Sequence, residues 1–273
     1  MQDQYNPKNN RLFALLPQAA YAHFLPHLEL ITMPLGDVIS NAGADSRYVY
    51  FPVSCIVSLL YTTKEGASAE IATVGNEGMI GIAQVLGGGT TNTLASVNHA
   101  GLAYRMQASV LQEEWARNPA IQNVLLHYAQ ALLTQIAQVA VCNRHHTIAQ
   151  QLCHWLLLRL DRLSSNQVKA THSLVAVMLG VRREGVTAAM GQLLLAELIR
   201  CRRGQITVMD RVGLESRCCE CYAVVKEEFS RLLPSAEQDD SWNDSIALGR
   251  PLALRRITSR DGESRRSAGA PVV

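Results

Sequence analysis

The sequence has almost no net charge, with 25 Lys and Arg residues against 23 Asp and Glu residues, a formal balance of +2. A strongly basic total, which would by itself indicate a nucleic-acid partner, is therefore excluded. Such a partner has to be argued from local charge. The local excess lies between Arg182 and Arg217, where seven arginines accompany four acidic residues.

Charged residues of either sign are scarce, at 18% of 273 residues, while 48% are hydrophobic. The chain can therefore bury a large core, and its length suits two modest domains. An apolar run of the signal-peptide type is also missing from the polar N-terminus. We therefore expect a cytoplasmic protein whose seven cysteines, an odd number without regular spacing, stay reduced.

Residues 118–143 lack formal charge altogether and are numerous enough to cross a bilayer. Their many amide side chains would be costly against lipid, so we predict a buried helix and no membrane span. Apolar residues alternate by four and three, the spacing of a heptad seam. We favour a dimer helix that packs on both a second subunit and the N-terminal domain, over the alternative of a core helix within one subunit. The predicted dimer residues are Leu125, Tyr128, Leu132, Gln135 and Val139.

The N-terminal part predicts one helix over residues 11–30, followed by many short strands. Apolar segments alternate there with glycine- and proline-containing turns, a spacing typical of a barrel or sandwich. The predicted strands span residues 28–33, 38–40, 48–51, 56–62, 69–74, 94–97 and 102–106. A second helix is predicted over residues 147–163.

Residues 171–198 have the steric pattern of a helix-turn-helix. Thr171 can cap a first helix, Gly180 can end it in the left-handed conformation, and Val181 can fill the turn. Apolar residues at helical spacing from Val186 then predict a second helix with one buried face. Residues 199–208 alternate in character around Gly204, which predicts a hairpin, or wing, after that helix.

The exposed residues of this segment suit DNA recognition. The start of the second helix of a helix-turn-helix meets base edges, where arginine pairs with guanine and glutamate accepts from cytosine. The predicted base-reading residues are Arg182, Arg183, Glu184, Thr187 and Ala188. The predicted phosphate contacts are Thr171, Gln192, Arg200, Arg202 and Arg203. A solvated charged turn is the plainer alternative for three such residues taken alone.

Residues 11–233 resemble the Crp/Fnr family of transcription regulators. The run Arg183-Glu184-Gly185-Val186 matches the family's R-E-x-V motif, which opens the recognition helix. The resemblance implies an α+β fold with an N-terminal cupin-like, cyclic-nucleotide-binding-like β-barrel, a long dimerisation helix and a C-terminal winged helix-turn-helix. Gly185 and Ala188 depart from catabolite-activator-like members, which have a hydroxyl residue and a third base-reading arginine there. The target sequence therefore cannot be copied from those members.

The family's cyclic-nucleotide cassette lacks its two charges here. Aligned to it, Ile82 takes the place of the ribose-binding glutamate and Thr93 that of the phosphate-binding arginine. We therefore predict that cyclic AMP is not the effector, which stays unknown. The possible effector pocket comprises Glu77, Gly81, Ile82, Thr93 and Leu94, with Glu77 admitted in case the register is displaced.

No metal site is predicted. Cys218, Cys219 and Cys221 are close in sequence, but three thiols in one helix do not converge as a zinc ligand set does. His145 and His146 are expected on different helix faces, and His23 with His27 makes only a weak pair. Haem ligation by a histidine is left open.

The resulting hypothesis is a dimeric, non-enzymatic DNA-binding regulator. Its partners would be double-stranded DNA, a second copy of the chain and RNA polymerase. One alternative is a signalling or scaffold module with a degenerate helix-turn-helix. Another is a cupin-like enzyme, which would need a metal triad beyond His99 and Glu70. The predicted divisions are a sensor barrel at 11–118, the dimer helix at 119–143, the DNA-binding domain at 144–233 and a disordered tail at 234–273.

Overall fold

A computed structural model describes residues 5–43 and 46–234. The predicted tail therefore lies, apart from Pro234, outside the described residues. The single helix predicted over residues 11–30 is wrong. The segment forms α1 (Arg11–Ala14) and α2 (Gln18–Phe24), then a 3₁₀ turn at Leu25–His27. Pro17 precedes α2 and Pro26 lies in the turn, and proline both removes a helical N–H donor and restricts the residue before it.

Seven strands follow, and all seven predicted strands are confirmed within two residues at either end. They are β1 (Glu29–Met33), β2 (Val38–Ser40), β3 (Tyr48–Pro52), β4 (Ile56–Thr62), β5 (Ser68–Val74), β6 (Leu94–His99) and β7 (Gly101–Gln107). All pairings are antiparallel, in the orders β1-β7-β3 and β2-β6-β4-β5. The strands thus form two sheets that share no strand, in place of one closed barrel. We call residues 29–107 the β-domain.

Two helices connect the β-domain to the rest of the chain. They are α3 (Ala108–Arg117) and the 27-residue α4 (Pro119–His145), whose N-terminus is capped by Asn118. By length and composition α4 could cross a bilayer, with a mean hydropathy of 1.3 over its most apolar window. In the structure it lies instead between the β-domain and the last described helix. Tyr128 donates to the carbonyl oxygen of Met79 over 2.8 Å, and Gln135 donates to that of Thr73 over 3.2 Å.

This packing corrects the predicted dimer seam. Leu125, Tyr128, Leu132 and Gln135 are buried within the chain itself, and Val139 is half-buried. The heptad pattern therefore marks the stripe that contacts the chain's own domains, and whether α4 also meets a second subunit stays a prediction. A repeat of apolar residues does not reveal whether the surface it meets belongs to the same chain.

The C-terminal part combines helices with a three-stranded sheet. Its elements are α5 (Ile148–Leu160), β8 (Gln167–Lys169), α6 (His172–Leu179), α7 (Arg183–Leu195), β9 (Ile199–Arg202), β10 (Gln205–Val208), α8 (Arg211–Arg217) and α9 (Glu220–Leu232). A capping box between Thr147 and Gln150 starts α5. The wing hairpin β9–β10 is confirmed, and β8 adds a third strand in the order β8-β10-β9. The mixed α+β architecture, the long helix and the winged helix-turn-helix are as predicted.

The C-terminal part packs directly on the β-domain. Arg159 of α5 forms an ion pair with Glu70 of β5 over 2.6 Å, and both side chains are almost fully buried. Burial lowers the pKa of the Arg159 guanidinium, whereas the neighbouring Glu70 carboxylate raises it. Trp155 lies against the same guanidinium, with its ring centroid 3.6 Å away. One continuous apolar core therefore runs from the N-terminal helices through α4 and α5 into the helix-turn-helix.

Candidate nucleic-acid interface

The turn between α6 and α7 has the geometry that a helix-turn-helix requires. The Thr171 hydroxyl accepts a hydrogen bond from the Leu174 N–H over 3.1 Å and so caps α6. Gly180 ends α6 with φ +65°, a conformation that glycine adopts without steric cost. Val181 is half-buried and packs on the core. The two helices are thereby held at a fixed angle by the cap, the glycine and the apolar plug.

The start of α7 is open to solvent. Val186, Ala189, Met190 and Leu193 form its buried face. The predicted base-reading residues all lie on the opposite side and are exposed: Arg182, Arg183, Glu184, Thr187 and Ala188. Arg182 occupies the N-cap position, and no side chain caps the helix there. The first N–H groups of α7 and the positive end of the helix dipole therefore face solvent, where they can meet phosphate or base edges.

Thr187 has partners within the protein. Its hydroxyl donates to the carbonyl oxygen of Arg183 over 3.0 Å and lies 3.1 Å from Nδ1 of His172. These contacts join α6 to α7. The base-reading role of Thr187 stays a prediction, and it would need the hydroxyl to exchange one of these contacts.

Gly185 lies close to the start of α5. A Cβ at this position would lie 2.6 Å from Cδ1 of Ile148. That atom is the far end of a flexible side chain, so a rotation of Ile148 could make room for a larger residue. Packing therefore does not require glycine where catabolite-activator-like members carry a hydroxyl residue.

The wing places its arginines beside the helix-turn-helix. Arg200 and Arg202 lie on β9, opposite Thr207 and Gln205 of β10, and Arg203 occupies the turn with φ +46°. The Ala170 N–H donates to the carbonyl oxygen of Gly204 over 2.8 Å. This bond holds the wing tip next to Thr171 at the start of α6. The predicted phosphate contacts Thr171, Gln192, Arg200, Arg202 and Arg203 are all exposed.

The arginines of this surface have no carboxylate partners among the described residues. The ion pairs of the described chain engage other cations, such as Arg159, Arg162 and Arg211. The arginines predicted to contact DNA are absent from those pairs: Arg182, Arg183, Arg200, Arg202 and Arg203. Their positive charge is therefore available to an external polyanion, although the chain as a whole is nearly neutral.

The proposed effector residues have ordinary structural roles. The Glu77 carboxylate is buried, pairs with Arg162 over 2.7 Å and accepts the Gly75 N–H over 3.1 Å. Gly81 takes φ +97° before a short 3₁₀ turn that begins at Ile82. Thr93 hydrogen-bonds through its hydroxyl to Thr91 over 2.8 Å, and Leu94 is half-buried at the start of β6. Glu77 thus already has a buried cation, and Ile82 and Thr93 supply none.

Two of the three C-terminal cysteines lie beside residues that the sequence analysis did not connect with them. Cys219 occupies the N-cap position of α9 and Cys221 lies in the first turn, where both meet residues from the end of α4. Cys142 and His146 complete the group. The group was missed because its two halves are distant in sequence, with Cys142 and Cys219 separated by 77 positions. No local spacing pattern links residues across that distance.

Comparisons with known proteins agree with this geometry. Residues 150–217 match the model of a Crp-like helix-turn-helix domain. A protein from Eubacterium rectale assigned to the Crp/Fnr family is 16% identical, with a TM-score of 0.61, over 74% of this chain and 94% of its own. FixK2 from Bradyrhizobium japonicum is 15% identical, with a TM-score of 0.57, over 70% and 98%.

A Crp/Fnr-family regulator from Thermus thermophilus is 21% identical, with a TM-score of 0.57, over 69% of this chain and 97% of its own. A search of curated protein sequences finds no match. At these sequence identities the solved structures show only the fold. The family-model match shows that residues 150–217 are a Crp-like helix-turn-helix domain. The chain therefore contains a Crp-like helix-turn-helix domain and has the fold of the Crp/Fnr transcription regulators.

Proposed function

We propose that this protein is a DNA-binding transcription regulator of the Crp/Fnr type that acts as a homodimer. The observation that carries the proposal is the Crp-like helix-turn-helix at residues 150–217, whose recognition helix presents an exposed, unpaired Arg183 and an exposed Glu184. A domain that serves only as a scaffold would also need the cap at Thr171 and the left-handed Gly180, but it gives no reason for this exposed charged start.

The surface suggests a division of work between α7 and the wing. Arg182, Arg183, Glu184, Thr187 and Ala188 would meet base edges in the major groove. Arg200, Arg202 and Arg203, with Thr171 and Gln192, would contact the phosphate backbone. The nearness of the wing tip to Thr171 supports one continuous phosphate-binding ridge beside the reading helix.

Dimerisation would use the face of α4 that the chain leaves uncovered. Leu126, Leu133 and Val141 are 47%, 61% and 43% exposed, and their spacing of seven and eight residues puts them on one side of the helix. A second copy of α4 would bury this apolar side and double the number of recognition helices. We further propose that the protein contacts RNA polymerase, lies in the cytoplasm and has no catalytic role.

The effector is proposed to be something other than cyclic AMP, because a buried phosphate needs a cation that Ile82 and Thr93 do not provide. A cupin-like enzyme is not supported. Glu70, one of its two candidate metal ligands, is already engaged by Arg159.

The test is to select DNA with the purified full-length protein from sheared genomic fragments and to sequence what is retained. We expect an inverted repeat with half-site centres about 10 base pairs apart, because a two-fold dimer places its recognition helices one DNA turn apart. Glu184→Ala should alter or abolish the selected motif. Glu227→Ala, a charge removal on the exposed side of α9, serves as the matched control and should leave it unchanged. Retention of all fragments without a motif would refute the sequence-specific function.

A further inference from the structure

Three thiols and one imidazole meet where the end of α4 touches the start of α9. The Sγ atoms of Cys142 and Cys219 are 3.5 Å apart, and Sγ of Cys221 lies 3.6 Å from Nδ1 of His146. The four candidate ligand atoms all lie within 4.8 Å of one another. No part of the proposed DNA-binding function uses this group. We propose that Cys142, His146, Cys219 and Cys221 form a tetrahedral zinc site that fastens α9 to the end of α4.

The separations fit four-coordinate zinc. Zinc binds thiolate sulfur at about 2.3 Å and imidazole nitrogen at about 2.0–2.1 Å, so a tetrahedral site places two sulfurs about 3.8 Å apart and a sulfur and a nitrogen about 3.6 Å apart. The Cys142–Cys219 and Cys221–His146 distances are within a few tenths of an ångström of these values. Small shifts of side chains would therefore complete the coordination.

The surroundings suit the ligand roles. Nδ1 of His146 faces the thiols, while Nε2 lies 3.4 Å from a carboxylate oxygen of Glu220. A histidine that binds a metal through one nitrogen commonly donates the other N–H to a carboxylate, which fixes the ring and its tautomer. The backbone at His146 leaves the helical conformation, with φ −108° and ψ 153°, so the side chain is freed from the line of α4.

The donor set and its burial indicate a structural site. Cys142, Cys219 and Cys221 are at most 6% exposed, and the His146 side chain is 13% exposed. Three soft thiolates and one imidazole are a common zinc set in proteins, and four protein ligands leave no open position for a substrate. The expected role is therefore to hold two helices together. A disulfide between Cys142 and Cys219 would use only two of the four groups.

The first measurement is the metal content of the full-length protein, purified under reducing conditions, by elemental mass spectrometry. We expect one zinc per chain. Cys219→Ser should lose nearly all of it, whereas Cys201→Ser, which removes the exposed thiol of the wing, should keep it. Glu220→Gln should retain the ligands but weaken zinc binding by about 10-fold or more in a chelator competition. Metal content that is equal in Cys219→Ser and the wild type would overturn the proposal.

A second measurement avoids dependence on variants that fail to fold. The metal is removed from the wild type with a chelator under anaerobic, reducing conditions, and cobalt(II) alone is added back. A tetrahedral thiolate site should give intense visible ligand-field bands and a sulfur-to-cobalt charge-transfer band, which zinc then abolishes. Cobalt spectra typical of six oxygen ligands, iron with acid-labile sulfide, or a Cys142–Cys219 disulfide in the reduced preparation would each refute the zinc assignment.

Discussion

Arg183 and Arg202 present equal charges to solvent from different elements, one at the start of α7 and the other on β9. The recognition helix enters the major groove, whereas a wing lies along the backbone, so the two side chains should contribute differently. Base contacts distinguish sequences, and phosphate contacts add affinity that depends on salt.

Arg183→Ala should cost about 1–3 kcal/mol on the selected site and relax preference at one base pair of each half-site. Arg202→Ala should weaken binding to all duplexes nearly equally. It should also reduce, by about one unit, the slope of the logarithm of the binding constant against the logarithm of the salt concentration. The measurement is a binding series on cognate and scrambled duplexes at several salt concentrations. If Arg183→Ala loses affinity equally on both duplexes, Arg183 contacts phosphate, and its assignment as a base-reading residue is wrong.

The buried pair Glu70–Arg159 should respond sharply to the loss of one partner. In Glu70→Gln the guanidinium would remain buried without its carboxylate, which should lower the free energy of unfolding by about 3–5 kcal/mol. The exposed pair Glu29–Arg105 offers the control, because solvent screens its charges and Glu29→Gln should leave the free energy of unfolding nearly unchanged. Urea unfolding followed by circular dichroism measures both. Equal small losses would mean that the interface between α5 and β5 is not closed in solution.

Cyclic AMP should not bind at physiological concentration. A phosphate without its arginine loses a charge-assisted hydrogen bond, on the order of 1.5–3 kcal/mol, and the missing ribose carboxylate adds a second loss. Titration calorimetry on the full-length protein measures this directly. Micromolar binding would show that the assignment of Ile82 and Thr93 to the two ligand positions is mistaken.

At the scale of elements, the sequence predicted the bounds of helices and strands well where those bounds depend only on neighbouring residues. The strands of the β-domain follow alternation and turn residues, and α6 ends at Gly180 because the backbone there requires a left-handed residue. The start of α2 was missed because apolar spacing continued across Pro17, although proline restricts the residue before it. The three-residue β8 is too short for a periodic pattern, and its existence depends on pairing with β10.

The long helix α4 shows the limit of periodicity. Adjacent residues Leu132 and Leu133 have the same side chain, yet they are 7% and 61% exposed. The heptad pattern selected the stripe of Leu132 for the dimer, whereas the chain itself covers that stripe. Which face meets a second copy follows from where the β-domain and α9 dock, and this is a matter of long-range contacts.

The two leucines provide a matched pair of variants. Leu133→Asp should give monomers with weakened DNA binding and change the stability of the folded monomer by no more than about 0.5 kcal/mol. Leu132→Asp should instead bury an unpaired charge and cost on the order of 4 kcal/mol or more. Light scattering and thermal unfolding separate the two effects. A full dimer in folded Leu133→Asp would exclude the uncovered face of α4 as the interface.

At the scale of the whole molecule, the β-domain and the helix-turn-helix share one core. α6 packs on β5, and Asn98 of β6 contacts the sulfur of Met178 over 3.7 Å. We therefore expect one cooperative unfolding transition in calorimetry, coincident with those seen by circular dichroism and by tryptophan fluorescence, to which the buried Trp155 contributes. Two separated transitions would indicate that the domains fold independently.

The position of α9 along α4 has a consequence for how the chain is made. Residues 29–145 emerge from the ribosome well before residues 220–232, so the face of α4 that α9 covers stays without its partner until synthesis is almost complete. Tyr222, Val225 and Phe229 close that surface only at the end of synthesis. A product released early, or a fragment ending before α9, would thus expose an apolar helix face and should be cleared or aggregate, whereas the full chain conceals it.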